Sequence, residues 1–212
     1  MNSQEKQKAL DEVAVEIKQF KGLPIAKSAT KAVPGEGNPQ ARVMFVGEAP
    51  GFNEDQQGRP FVGQAGRLLE QTLNEIGLSR EDVYITNIVK FRPPDNRDPN
   101  PEEIEVCREW LDRQIATIEP EIIATLGRFS MAKFLGPQSI SRIHGLGRRM
   151  TFLGREVTIF PMFHPAAALR GTGVLQQFKQ DFRKLEQLLK SPATTMKEEI
   201  KSKQPEAVQT TL

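Results

Sequence analysis

Three short segments of this 212-residue sequence carry side chains that a packed core would not call for. The first, Gly47-Glu-Ala-Pro-Gly-Phe-Asn-Glu-Asp55, runs on into Gly58-Arg-Pro-Phe-Val-Gly63. Small residues in such a run let a ligand approach the backbone closely, and Glu48 and Glu54 supply carboxylates beside it. Phe61 follows a proline within the run. Its ring either stacks on a planar ligand or anchors the loop to the core. No Gly-Lys-Ser/Thr follows, so the run does not read as a phosphate loop. The second segment, Thr86-Asn-Ile-Val-Lys-Phe-Arg-Pro-Pro94, brings Asn87. A carboxamide offers a donor and an acceptor in one plane, suited to the edge of a heterocyclic base, although asparagine also ends strands and caps turns. The third, Phe163-His-Pro-Ala-Ala-Ala-Leu-Arg170, holds one of only two histidines. His164 can donate a hydrogen bond into a site. Leu169 and Arg170 can act as an apolar wedge with a phosphate-binding neighbour.

The elements that must position these residues follow from periodicity. Residues 4–20 read as an amphipathic helix, with Leu10, Val13, Ile17 and Phe20 three or four apart. Pro24 to Pro39 is rich in Gly, Pro, Ser and Lys and reads as loop. Arg42–Val46, Val83–Val89, Ile122–Leu126 and Val157–Met162 read as strands. Residues 64–76, 101–118, 129–135 and 174–189 read as helices, the second opened by Pro101 with Glu102 and Glu103 in its first turn. Strands alternating with helices predict an α/β three-layer sandwich: a central four-stranded parallel sheet flanked by helices. In such sheets ligands bind beyond the carboxyl ends of the strands. The three unusual segments follow strands 1, 2 and 4 of that order, so they are expected to converge.

Bulk properties narrow the class. Hydrophobic residues make up 38% and charged residues 26%, as in a globular protein with one core over residues 1–190. The polar start, the lack of a long apolar run and the single cysteine predict no secretory leader, no membrane span, no disulfide framework and a cytoplasmic location. A net charge of +2 neither demands nor forbids nucleic acid. Residues 191–212 lose apolar periodicity and read as a disordered tail.

Gly47-Glu-Ala-Pro-Gly51 with Gly58-Arg-Pro-Phe-Val-Gly63, then Thr86-Asn-Ile-Val-Lys-Phe-Arg-Pro-Pro94, then Phe163-His-Pro-Ala-Ala-Ala-Leu-Arg170, in this order and spacing, resemble the motifs of the family 4 uracil-DNA glycosylases. The similarity spans about residues 17 to 189. It implies hydrolysis of the N-glycosidic bond of deoxyuridine in DNA, releasing uracil and leaving an abasic site, without lyase activity. By the same resemblance the backbone at Ala49, where many relatives have glycine, lies against uracil. Phe61 stacks on the flipped base and Asn87 reads its edge. His164 donates to uracil O2, and Glu54 orients or deprotonates the attacking water. Glu48 is a second candidate for that task or a brace for its loop. Leu169, Arg170 and Arg142 are expected at the DNA.

The chain departs from the family at its iron–sulfur site. Cluster-bearing relatives have a Cys-x-x-Cys near the end of the first helix, a third cysteine in the segment matching Val89–Pro94, and a fourth 16 positions later. Counted back from Gly35-Glu-Gly-Asn-Pro39, the matching residues are Phe20, Leu23, Phe91 and Cys107. One thiolate cannot hold a 4Fe–4S cluster, so no cofactor is expected. The large apolar replacements are expected to staple the first helix to the 91–107 segment. Cys107 falls in register with Leu111, Ile115 and Ile118 as a packed helix residue.

Other features are less specific. His144 reads as a surface or DNA-facing residue. Arg142, Arg148, Arg149 and Lys133 read either as a basic flank for phosphates or as a solvated face. The terminal Gln209-Thr-Thr-Leu212 resembles a sliding-clamp binding peptide. Single- or double-stranded uracil-containing DNA is the expected partner, with a monomeric enzyme. The competing readings are a uracil-DNA binder that does not cleave and a replication accessory protein on the same fold.

Overall fold

The computed structural model describes residues 1–190. The tail from residue 191, with the clamp-peptide reading at Gln209–Leu212, lies outside them. In chain order the elements are α1 (Ser3–Gln19), α2 (Pro24–Ser28), β1 (Glu36–Gly37), β2 (Val43–Gly47), α3 (Phe52–Gln57), α4 (Gln64–Glu75) and β3 (Tyr84–Asn87). Then come α5 (Pro101–Ile118), β4 (Ile122–Leu126), α6 (Arg128–Leu135), α7 (Ile140–Ile143), β5 (Arg148–Phe152), β6 (Arg155–Met162), α8 (Pro165–Ala168) and α9 (Thr172–Lys190).

Strands β2, β3 and β4 are buried along their whole length, as parallel strands covered on both faces must be. Alternation sorts their side chains into two cores. Met44, Val46, Tyr84, Ile123 and Ile159 face α1 and α5. Val43, Phe45, Ile85, Ala124 and Phe160 face α4 and α9, where Phe45 stacks on Phe182 with centroids 5.7 Å apart. The three expected layers are thus present. The helices begin where local chemistry can satisfy their free amides. Asn2 and Glu5 form a capping box on α1, with Glu5 N donating to Asn2 Oδ1 at 3.0 Å. Asn100 and Glu103 do the same on α5, with Pro101 in its first turn.

The sheet is larger than the four parallel strands expected. Its order is β1-β3-β2-β4-β6-β5. The central β3, β2, β4 and β6 are parallel, and β1 and β5 add antiparallel edges. β1 has no apolar alternation to betray it, and β5 has only the brief Met150-Thr151-Phe152. β1 is two residues long and depends on Gly37, where a Cβ would sit 2.0 Å from the Val83 carbonyl oxygen. β5 joins β6 through Leu153 and Gly154, both at positive φ, the backbone of a tight two-residue hairpin. The expected loop at Pro24–Pro39 likewise contains α2, opened by Pro24.

The positions matching cluster ligands are packed with hydrocarbon. Leu23, Phe91 and Cys107 are buried. Phe20 lies 6.0 Å from Phe91 and 5.0 Å edge-on from Trp110, and Phe91 lies 6.3 Å from Trp110. Trp110, not singled out from the sequence, completes an aromatic staple between α1 and α5. These residues do not fit an iron–sulfur cluster: the set offers one thiol, and burial raises that thiol's pKa, against the thiolate a metal needs. Among the described residues no group of three or more His, Cys, Asp or Glu could hold a metal ion. Nor is any described helix long and apolar enough to cross a membrane. Truncation of Phe91 to alanine should cost about 3–5 kcal/mol of stability, as for other core aromatics. Urea unfolding of Phe91→Ala against the parent checks it; an unchanged midpoint would refute the staple.

Candidate active site

The parallel register of β2 and β3 sets Gly47 opposite Asn87. Beyond them the chain stays paired: Ile88 N donates to Gly47 O and Val89 N to Glu48 O, both at 3.0 Å. On the other side of the sheet Gly127 N donates to Met162 O at 2.9 Å, placing the start of α6 beside the Phe163–His164 turn. A cavity of about 630 Å3 opens at these strand ends. Glu48, Ala49, Glu54, Phe61, Asn87, His164 and Arg170 all line it, so the three motifs do converge. Leu169 sits exposed one residue before Arg170. Arg142 is exposed on α7 but does not line the cavity.

Gly47 makes the pocket possible. A Cβ there would lie 2.3 Å from Asn87 Oδ1 and 2.5 Å from the tip of the Phe61 ring. Only hydrogen at this position lets carboxamide and ring approach the same backbone. Asn87 Oδ1 is buried without a hydrogen-bond partner. An orphaned acceptor costs free energy in a closed protein and suits a site awaiting a ligand donor. Phe61 is buried yet holds φ at +52°, a region rare for bulky residues. The conformation is enforced from outside. Arg80 donates to Phe61 O at 3.0 Å and to Pro60 O at 2.6 Å. Gly66 leaves room for the same carbonyl, which a Cβ there would meet at 1.7 Å. The ring lies 5.7 Å from His164.

His164 caps α8, and its Nδ1 accepts from Ala166 N at 3.1 Å. That bond assigns the proton of the neutral ring to Nε2. Burial, then the nearby Arg170 charge, pushes its pKa down to about 4 despite Glu54. The imidazole is therefore neutral at neutral pH, with one N–H to offer the cavity.

The two acids divide differently from the expectation. Glu54 Oε1 accepts from Val62 N and Gly63 N, both at 2.8 Å. It is Glu54, more than Glu48, that braces a loop, the one carrying Phe61. Burial and the neighbouring Asp98 push Glu48 up to about 7, against the pull of Arg128. Arg128 itself pairs with Asp98 and lies over the Phe129 ring at 4.4 Å. Sequence reading missed Asp98, Arg97 and Arg128 at the rim. They stand outside all three motifs, and only the fold brings them together. The basic-flank reading fails for Lys133. Its ammonium is buried against Asp112 at 2.7 Å and beside the Phe134 and Phe152 rings. His144 is no free surface histidine: it bonds the buried Asp181 at 2.8 Å and packs on Phe163.

Substitution of Gly47 by alanine should displace Asn87 and Phe61 by an ångström or so and cut any reaction in this cavity by about 100-fold. Single-turnover uracil release by Gly47→Ala, with circular dichroism to verify folding, checks this.

Comparison with known proteins agrees with this arrangement. A profile of the Uracil DNA glycosylase superfamily matches residues 34–190. A Type-4 uracil-DNA glycosylase of Saccharolobus solfataricus is 46% identical over 193 residues, covering 88% of this chain and 89% of that protein. One from Archaeoglobus fulgidus is 45% identical over 186 residues, covering 85% and 93%. A Type-5 uracil-DNA glycosylase of Thermus thermophilus is 34% identical over 140 residues, covering 59% and 62%. With matches of this extent, and with its motif residues gathered at one end of a parallel sheet, the chain belongs to the uracil-DNA glycosylase superfamily.

Proposed function

We propose that this protein removes uracil from DNA by hydrolysing the N-glycosidic bond, and that it does so without an iron–sulfur cluster. The observation that carries the reading is the pairing of an orphaned Asn87 Oδ1 with a neutral, tautomer-fixed His164 in one cavity. A deoxyuridine extruded from the stack, a step costing a few kcal/mol, lies with its ring on Phe61 and against the backbone at Ala49. Asn87 Oδ1 accepts from N3–H, which cytosine lacks, and the amide N–H donates to O4. As the bond to the sugar lengthens, negative charge gathers on uracil O2, where His164 Nε2–H is aimed. A neutral donor stabilises that charge without first having to hold a proton the solvent would take. Such donors are worth about 2.7–4 kcal/mol each.

The sugar becomes cationic as uracil leaves. Glu54, held through one oxygen by the Phe61 loop, orients the water that captures it. Glu48, when ionised, adds negative charge facing the cation. Among the described residues no lysine lines the cavity, which supports simple hydrolysis over an amine-dependent lyase step. Leu169 and Arg170 wedge the duplex and contact phosphate, and the exposed Arg142 of α7 contacts the DNA backbone. The enzyme acts as a monomer in the cytoplasm, on single- or double-stranded DNA, and the Gln209–Leu212 peptide, with its Gln followed three positions on by an apolar residue, docks on a sliding clamp.

His164→Ala and Asn87→Ala should each lower the single-turnover rate by about 100- to 1000-fold while leaving urea stability near the parent value. Rates equal to the parent from both would overturn the assignments. The pH profile separates the acids. With Glu48 ionising at about 7, the rate rises with pH through that value, and Glu48→Gln removes the rise. His164, neutral down to about pH 4, adds no limb between pH 5 and 8. A limb near pH 7 that survives Glu48→Gln would refute this division.

A further inference from the structure

A second concavity, about 360 Å3, lies where the end of α1, α2 and the end of α3 meet. Lys18, Lys21 and Lys31 line it, with Thr30, Gln57 and Gly58. Among the described residues no carboxylate lines it, and Phe91, at a position where cluster-bearing relatives have cysteine, supplies a neutral wall. Lys18 and Lys31 have no ion-pair partner among the described residues, and Lys21 makes only a long 3.4 Å bond to Ala26 O.

The lysines are not a loose surface fringe. Asp55 of α3, itself buried, accepts from Thr30 N at 2.9 Å and from Lys31 N at 3.4 Å, so its negative charge is turned inward onto the backbone. Gln56 Nε2 donates to Thr30 Oγ1 at 3.1 Å, leaving the hydroxyl proton to donate outward. The stem of Lys31 crosses Gly58, which ends α3 at φ +73°; a Cβ there would meet Lys31 Cδ at 3.4 Å. Three lysines thus line one concave surface, and the adjacent Asp55 is already engaged with backbone amides.

Its place relative to the catalytic cavity decides the ligand. Gly51 and Glu54 line the cavity, and Gln57 and Gly58 line this concavity. Both hollows are lined from α3, along which Gly51 and Gly58 stand seven residues apart, about 10 Å at 1.5 Å per residue, or about three nucleotides at 3.4 Å of rise per nucleotide on one strand. Ammonium groups bind phosphates as point charges and carry no sequence information. We infer that the concavity bounded by Lys18, Lys21 and Lys31 is a phosphate subsite for the strand carrying the extruded nucleotide, about three nucleotides from it. The assignment rests on the glycosylase reading for the identity of the strand.

Equilibrium binding of the full chain to a duplex holding one uncleavable abasic analogue, measured from about 50 to about 200 mM NaCl, tests it. Each lost phosphate contact lowers the slope of log K against log salt by about 0.9. Lys18→Gln/Lys21→Gln/Lys31→Gln, by emptying one phosphate subsite, should lower the slope by about 0.9 and weaken binding by about tenfold at the lower salt. The uracil-release rate at saturating enzyme should stay unchanged, and the arginine triple variant should restore the slope. An unchanged slope and affinity, or a lost rate with the slope intact, would overturn the subsite. If the parent protein releases no uracil, the glycosylase reading fails while the slope still reports the phosphate contact.

Discussion

The register that sets Gly47 of β2 opposite Asn87 of β3 governs the rest of the site, because every later contact is measured from that edge. A slip by one residue would turn Asn87 away from the cavity and bring the buried Thr86, which bonds Pro34 O, in its place. The register is held from beneath by Lys90. Its buried ammonium donates to Thr86 Oγ1, Asn87 O and Gln114 Oε1 at 2.7–2.8 Å, tying the end of β3 to α5. Burial pulls its pKa down to about 7, yet three acceptors meet three N–H bonds, which is the pattern of the charged form. Satisfied in this way the group specifies one arrangement; truncated, it would leave three buried acceptors exposed to no partner.

On this frame the site combines rigidity with incompletion. The Phe61 backbone sits in a strained conformation maintained by Arg80, Glu54 and the bare Cα of Gly66. His164 has its tautomer set by a backbone amide. By contrast, Asn87 Oδ1 lacks a partner, and burial, with Asp98 beside it, raises the pKa of Glu48 to about 7. Groups that are fixed in place but unsatisfied are poised for a ligand, and this is how a preorganised site lowers a barrier without reorganising at the moment of reaction. The aromatic staple of Phe20, Phe91 and Trp110 belongs to the core facing α1 and α5, whereas Phe61 belongs to the core facing α4 and α9.

Much of this was legible in the sequence, and the reasons are particular. α5 and β4 fall where periodicity and capping residues placed them, at 101–118 and 122–126, because long amphipathic or wholly buried runs carry their own signal. β1, α2 and β5 were not visible. They are short, and tertiary contacts rather than local pattern hold them. α3 hid inside a glycine-rich motif read as loop. In the site, Asn87 and His164 stood out as polar groups at strand ends, and Phe61 as a planar one in a glycine-rich loop. The roles of Glu48 and Glu54 did not, since only the fold shows that one binds two amides and the other stands beside Asp98. Arg97 and Arg128 were invisible for the same reason.

The central claim is that an aromatic core can replace the cluster and leave the glycosylase chemistry intact. Its most direct test is single-turnover release of free uracil from a uracil-containing duplex by protein whose iron and acid-labile sulfide have been assayed in the same sample. The account predicts uracil release by iron-free protein, with no gain on supplying iron and sulfide. Release that tracks iron content, or none from well-folded iron-free protein, would contradict it.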